Sequence, residues 1–225
     1  MRMRWSQISF LHWSYDAAVV QALLPHGLTI ETYDDAAWVG LIPFHMTVAP
    51  PVGPEVPWLS YFPETNVRTY VRGPNGMSGI WFFSLDASRL PAVLAARASW
   101  GLPYYWSAMH VERRGDRVLY RSTRRGVGSG EASEVDVEAG EPIPAAELTT
   151  FENYLTARFV LWAHYLGRLW YTRAEHPAWP LRRAVATKHS DGLLIGAGLP
   201  APEGAPVVHF SEGVDVRVGL PRRVG

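Results

Sequence analysis

Apolar and polar residues alternate in short runs through most of the chain, and turn-forming residues separate the runs. The segment YFPETNVRTYV places Phe62, Glu64, Asn66, Arg68 and Tyr70 on one face of a strand, because alternate side chains of a strand share a face. Leu28 to Tyr33, an Asp34-Asp35 turn and the apolar Trp38 to Phe44 read as a hairpin. The proline-rich APPVGPEVPW that follows breaks the sheet. GIWFFSLDA is too apolar for a half-exposed strand and is expected to be covered on both sides. Tyr105 to Thr123 predicts a second hairpin around Arg114-Gly115-Asp116, a triplet read here as a turn and not as an adhesion motif. Leu181 to His189, a Ser190-Asp191-Gly192 turn, Leu193 to Gly198 and Pro206 to Val218 read as further strands.

Two helices are expected. The first covers Tyr15 to Leu24, with Ser14 as N-cap and Pro25 and Gly27 as its stop. The second opens on the capping box Thr149-x-x-Glu152 and carries Phe151, Leu155, Phe159, Trp162, Leu166 and Leu169 at helical spacing. Many short strands with a minority of helix, and no strand–helix alternation, predict a mainly β fold: an antiparallel barrel or closed sandwich, organised as a single domain over residues 1–225.

Composition narrows the partners. Lys plus Arg and Asp plus Glu are each 21, so no single-sign field exists to hold a nucleic acid or an anionic membrane, and both are discounted. The basic N-terminal stretch MRMRWSQISFLHWSYD lacks the apolar core of a signal peptide, and no run approaches the roughly 20 apolar residues of a membrane span. A cytoplasmic protein is expected, and assembly into a homo-oligomer is left open. The absence of cysteine removes disulfides, thiolate nucleophiles and sulfur-ligated metals. The eight histidines show no paired metal spacing, so neither a metal nor another cofactor is expected. Ser78 in NGMSGI and Ser129 in GVGSGE do not form a nucleophile elbow, and the second stretch lacks the third glycine of a dinucleotide fingerprint. Lys188 is the single lysine, which leaves imine chemistry one candidate amine, beside an exposed turn.

Two constellations point to a small-molecule ligand. On the expected second helix Arg158 falls about 20° from Phe151 and about 40° from Trp162, inside the stripe to be buried. A guanidinium there needs an acidic partner, for which Glu64 is the choice, or it serves as an anion clamp. The row Glu64, Asn66, Arg68, if it faces the inside of a barrel, supplies an acid, an amide and a base to one confined site.

SFLHWSYDAAVVQALLPHGL, AAWVGLIPFHM, FPETNVRTYV, GIWFFSLDA, LPYY, LTARF, GRLW, HPAWPLRRA and HFSEGVDVRV, in that order, resemble the YqjF-like family of bacterial proteins over nearly the whole chain. That family resembles, more distantly, the acetoacetate decarboxylase superfamily. The resemblance implies a cone-shaped antiparallel β-barrel with flanking helices around an enclosed polar cavity. In the decarboxylase a Pro-Lys-Lys stretch carries the imine-forming lysine, and the matching positions here are Pro103, Tyr104 and Tyr105. The match assigns Tyr104 to the cavity and Tyr105 to an outer layer, beside Trp106 or against a helix, and a phenol forms no imine. Glu64 is similar to a carboxylate of the decarboxylase pocket. His12 and Trp13 occupy the neighbourhood of its substrate-binding arginine, whose place Arg158 would take. The resemblance therefore implies Tyr104 and Glu64 as acid/base groups, with Arg158, Arg68, Asn66, His12 and Trp13 binding a small oxygenated anion. A non-catalytic ligand-binding protein is the alternative.

Overall fold

The computed structural model describes residues 1–49, 60–126, 128 and 130–224. The proline-rich loop from Pro50 to Trp58, and Ser129, lie outside the described residues. A five-stranded wall organises the molecule. It runs β6 (Ser78–Ala87), β5 (Tyr61–Arg72), β4 (Ala36–Ala49), β1 (Arg2–Tyr15) and β13 (Val207–Val218), each hydrogen-bonded antiparallel to the next. The sheet forks at both edges of this wall. At β6, Leu85–Ala87 pair with the start of β7 (Tyr104–Arg114), whereas Ile80 and Trp81 pair with β10 (Val160–Tyr165); both pairings are parallel. At β13, Ser211 to His209 pair with β12 (Leu181–His189), whereas Val218 and Arg217 pair with β11 (Arg168–Glu175). One branch runs through β7, β8 (Arg117–Arg124), β9 (Ala132–Pro142) and β12, the other through β10 and β11, and each closes a ring on the wall. Short strands β2 (Thr29–Ile30), β3 (Thr32–Tyr33) and β14 (Arg222–Arg223) extend the edges.

Two main cores follow from the two rings, and a third, smaller cluster gathers Leu28, Val71, Val160 and Trp162. Alternation along β1 sends Ile8 and Phe10 to one and Leu11 and Trp13 to the other. The first core also holds Phe44, Phe62, Phe82 and Leu161; the second holds Val39, Val118, Val137 and Phe210. The approach of β10 to β6 depends on glycine: a Cβ on Gly73 would lie 2.0 Å from the ring of the fully buried Trp162, and one on Gly79 would lie 2.6 Å from the Val160 carbonyl.

Several helical expectations are corrected. The first helix, α1 (Ala17–Ala22), is capped by Asp16, whose Oδ1 accepts from Ala18 N at 2.7 Å; Ser14 and Tyr15 belong to β1. A second helix, α2 (Leu90–Trp100), went unread although it carries Pro at its start and Gly101 at φ 62° after its end. The capping box of Thr149 and Glu152 is present, but its helix, α3 (Thr150–Thr156), stops after seven residues. The expected continuation is the β10–β11 hairpin, turned by Leu166 and Gly167 at φ 50° and 73°. Helical spacing misled because β10 is buried on both faces, so apolar residues occur at every short interval. Leu193 to Gly198, expected as a strand, is mostly helix α4 (Gly192–Gly196), which buries Leu193 and Leu194.

Candidate functional site

The seven-stranded ring encloses a cavity of about 90 Å³. Glu64, Asn66 and Arg68 project into it from β5, and Tyr104 enters from the first residue of β7. The remaining lining is mostly apolar and comes from β1, β4, β6, β10, β13 and α2, with Met1 and Leu102 beside them; its polar atoms are the Met1 ammonium and the unpartnered indole N–H groups of Trp5 and Trp100. The alternating row read from the sequence therefore faces inward.

Glu64 is 2% exposed, and burial pushes its carboxyl up to about 8; nearby Asp86 pushes the same way, against the hydrogen bond from Tyr104. The Tyr104 hydroxyl donates to Glu64 Oε2 at 3.0 Å. Burial, then the Glu64 carboxyl, holds that phenol well above its ordinary range. Local chain chemistry fixes the phenol. Pro103 gives its carbonyl to Leu85 N at 3.0 Å, which ties β7 to β6, and Arg97 of α2 donates from Nε to the Tyr104 carbonyl at 2.6 Å. Tyr105 points the other way and lies under the Arg124 guanidinium, 3.8 Å from ring centre to Cζ, with Arg97 of α2 at 5.7 Å.

Arg68 is 6% exposed. Its Nη2 donates to the Leu155 carbonyl at 3.1 Å, its Nε has no acceptor, and among the described residues it has no carboxylate partner. Asn66 Oδ1 is likewise buried without a donor. Two neighbouring positions on one face of β5 thus present unmet hydrogen-bonding capacity to the cavity.

The other expected site residues stand apart. His12 is fully buried but does not line the cavity: its Nε2 meets the Tyr70 hydroxyl at 2.7 Å. Because Tyr70 gives its own proton to the Leu155 carbonyl at 2.7 Å, Nε2 carries the imidazole proton and Nδ1 is left without a partner. Burial, reinforced by Arg68, keeps His12 well below the ordinary histidine range and therefore neutral. Trp13 packs in the second core against His189, ring centres 5.2 Å apart. Arg158 lies beyond the end of α3, so the helical-wheel argument does not apply to it. It pairs with Glu31 at 2.7 Å, not with Glu64, and stacks on Tyr154 and Tyr70 outside the cavity. Arg158→Met is expected to cost about 1.5–3 kcal/mol, a charge-assisted hydrogen bond in a pair only about a tenth exposed, with Glu31 keeping Arg72 and Ser78 as partners, and to leave ligand affinity unchanged; a denaturant titration and a binding isotherm check both.

A second buried polar cluster went unread. On the far face of β6, Asp86 takes Arg124 Nε and Nη2 at 3.0–3.1 Å and Ser107 Oγ at 2.7 Å, and Glu131 closes on Arg124 Nη1. The signal is an acid near the end of the largely apolar GIWFFSLDA. Lys188 lies on the outer face of β12, paired with Glu134 at 3.0 Å. Among the described residues no group of three metal-ligating side chains occurs, and no helix is long and apolar enough to cross a membrane.

Comparison with known proteins agrees with this architecture. The chain is 35% identical over 220 residues to the uncharacterized protein YqjF of Bacillus subtilis, covering 96% of this chain and 89% of that one. It superposes on the acetoacetate decarboxylase of Legionella pneumophila with a TM-score of 0.70 at 15% identity, over 100% of this chain and 88% of that one. On the enduracididine biosynthesis enzyme MppR, solved with pyruvate, the TM-score is 0.64 at 13% identity, over 100% and 90% of the two chains. The fold is thus that of the acetoacetate decarboxylase-like proteins. With the profile of the DUF2071 family, described as an uncharacterized conserved protein, matching residues 2–215, the chain belongs to that family.

Proposed function

We propose that the cavity is the site of an acid/base enzyme acting on a small oxygenated monoanion, an oxo acid, without an imine intermediate. One observation carries the reading: a buried carboxyl, hydrogen-bonded by a phenol, shares a cavity with a guanidinium that among the described residues has no carboxylate partner. Arg68 and Asn66 take the ligand carboxylate. Glu64 in its ionised form, the minority at neutral pH, removes a proton from the carbon beside the carbonyl and becomes the neutral acid that its burial favours. The Tyr104 hydroxyl turns from Glu64 to the enolate oxygen that forms. While the enolate is held, the Glu64 carboxyl trades its proton for one from solvent, and delivery of that second proton to carbon completes the exchange. The bound pyruvate of MppR supports an oxo acid as ligand in this fold. The surface position of Lys188, the chain's one lysine, supports a route without an imine.

The test is deuterium uptake, by proton NMR in heavy water, at the carbon beside the carbonyl of oxo acids from pyruvate to α-ketoisocaproate. Glu64→Gln should slow the exchange by about 10²–10⁴-fold and Tyr104→Phe by about 10²-fold or more. Exchange no faster than in protein-free buffer with every acid removes the catalytic role. Saturable binding without exchange would assign the cavity to a ligand-binding protein instead.

A further inference from the structure

The carboxyl, amide, guanidinium and phenol groups of the cavity stand on one edge, and the rest of its lining adds only the indole N–H groups of Trp5 and Trp100 as side-chain donors. Glu64, Asn66 and Arg68 share a face of β5, and Tyr104 joins Glu64 at one end of the row. The walls facing them are hydrocarbon and aromatic, among them Ile42, Phe44, Phe82, Leu85 and Leu161. A ligand matched to this chamber needs a polar side and an apolar body. Pyruvate offers one methyl group to all of that wall.

We infer that the ligand is a branched short-chain oxo acid, α-ketoisovalerate or α-ketoisocaproate in class, with its carboxylate and carbonyl along β5 and its alkyl branch against the opposite wall. The inference rests on the reading of the cavity as a site for small carboxylates. Size selects within that class. A cavity of about 90 Å³, at roughly 10–15 Å³ for each water-sized body, has room for about six to nine non-hydrogen atoms. Pyruvate is at the foot of that range, the two branched acids are at its top, and phenylpyruvate exceeds it. Shape selects the branch. The apolar lining arrives from five strands and a helix around the ring, which makes a chamber and not a slot, so a compact isopropyl group fills it better than a linear chain. Charge selects the monoanion. Burial keeps Glu64 protonated at neutral pH, leaving Arg68 as the charged side chain among the lining residues, while the ammonium group of the exposed Met1 is held by the Val218 carbonyl at 2.8 Å, so a dicarboxylate would bring a second anion into a largely apolar space.

Isothermal titration calorimetry of the full chain at neutral pH, with pyruvate, α-ketovalerate, α-ketoisovalerate, α-ketoisocaproate, α-ketoglutarate and methyl isopropyl ketone, tests this. The branched acids should bind roughly tenfold tighter than pyruvate, since each buried carbon adds about 0.8 kcal/mol and entry has its own costs. They should also exceed their linear isomer, the dicarboxylate and the neutral ketone. Leu161→Phe, which fills part of the apolar wall and leaves the polar row in place, should reverse the order in favour of pyruvate. Pyruvate binding as tightly as the branched acids, or tightest binding by α-ketoglutarate or the ketone, overturns the inference and leaves the small-carboxylate reading standing in the first case. Binding of none of the acids overturns both.

Discussion

Arg124→Met is expected to lower the unfolding free energy by about 3–5 kcal/mol, as removal of one partner of a buried pair does. Asp86 is 0% exposed, and Arg124 supplies three of its hydrogen bonds, Ser107 the fourth. Without the guanidinium a buried carboxylate is left with one hydroxyl. The position multiplies the consequence, because Asp86 sits where β7 joins β6 through three residue pairs, next to the pair that sets Tyr104 beside Leu85. Tyr105 would also lose the cation over its ring. Replacing both partners by apolar residues, in Asp86→Leu with Arg124→Met, should recover much of the loss, since the fully buried carboxylate goes with its partner and the one carboxylate left behind, Glu131, is about a third exposed. Urea titrations of the single and double variants measure both effects. A single variant within about 1 kcal/mol of the parent would show that the pair does not anchor the junction.

Glu64 should make the protein less stable as pH rises. Its folded value, about 8, lies above the ordinary carboxyl value of 4.5, so the native state holds one more proton than the unfolded chain between those limits. Stability associated with the neutral carboxyl is fully present below about 4.5 and falls by about 1.4 kcal/mol per pH unit until the group ionises in the fold near 8. Buried histidines act oppositely. His12 and His209 are held below their ordinary range, mainly by burial, so they add stability as the unfolded histidines lose their protons with rising pH. The measurement is therefore the difference between parent and Glu64→Gln in unfolding free energy from pH 5 to pH 9. The variant should gain on the parent steadily up to about pH 8 and run parallel above it. A difference that does not change with pH would mean that Glu64 is ionised in the fold throughout.

Strands with a marked two-residue period and a clear stop were legible. The row from Phe62 to Tyr70 was placed on one face, and Leu181 to His189 was delimited as β12 is. Which way the row faces was not legible, because direction depends on ring closure, and the contacts that close the rings are a few residue pairs distant in sequence, Leu85 with Tyr104 and Val218 with Ala174. The segment after Thr156 was misread for a related reason. Burial of both faces of β10 erases the alternation that marks a strand, and the turn signal Leu166-Gly167 is weak where a β-turn at positive φ usually shows Asn-Gly. Arg158 was drawn into the site by that error. Arg68 carries no local sign that it, and not Arg158, is the guanidinium lining the cavity, since its lack of an acidic partner among the described residues is a property of the whole ring.

A crystal of the protein soaked with α-ketoisovalerate tests the central claim most directly, because it reads the location, orientation and covalent state of the ligand together. The account predicts density for the unmodified acid in the seven-stranded ring. Its carboxylate should lie within hydrogen-bond distance of Arg68 and Asn66, its carbonyl oxygen at Tyr104 and Glu64, and its isopropyl group against Phe82 and Leu161. A cavity empty at saturating ligand, or the acid bound elsewhere or as an imine on Lys188, would contradict it.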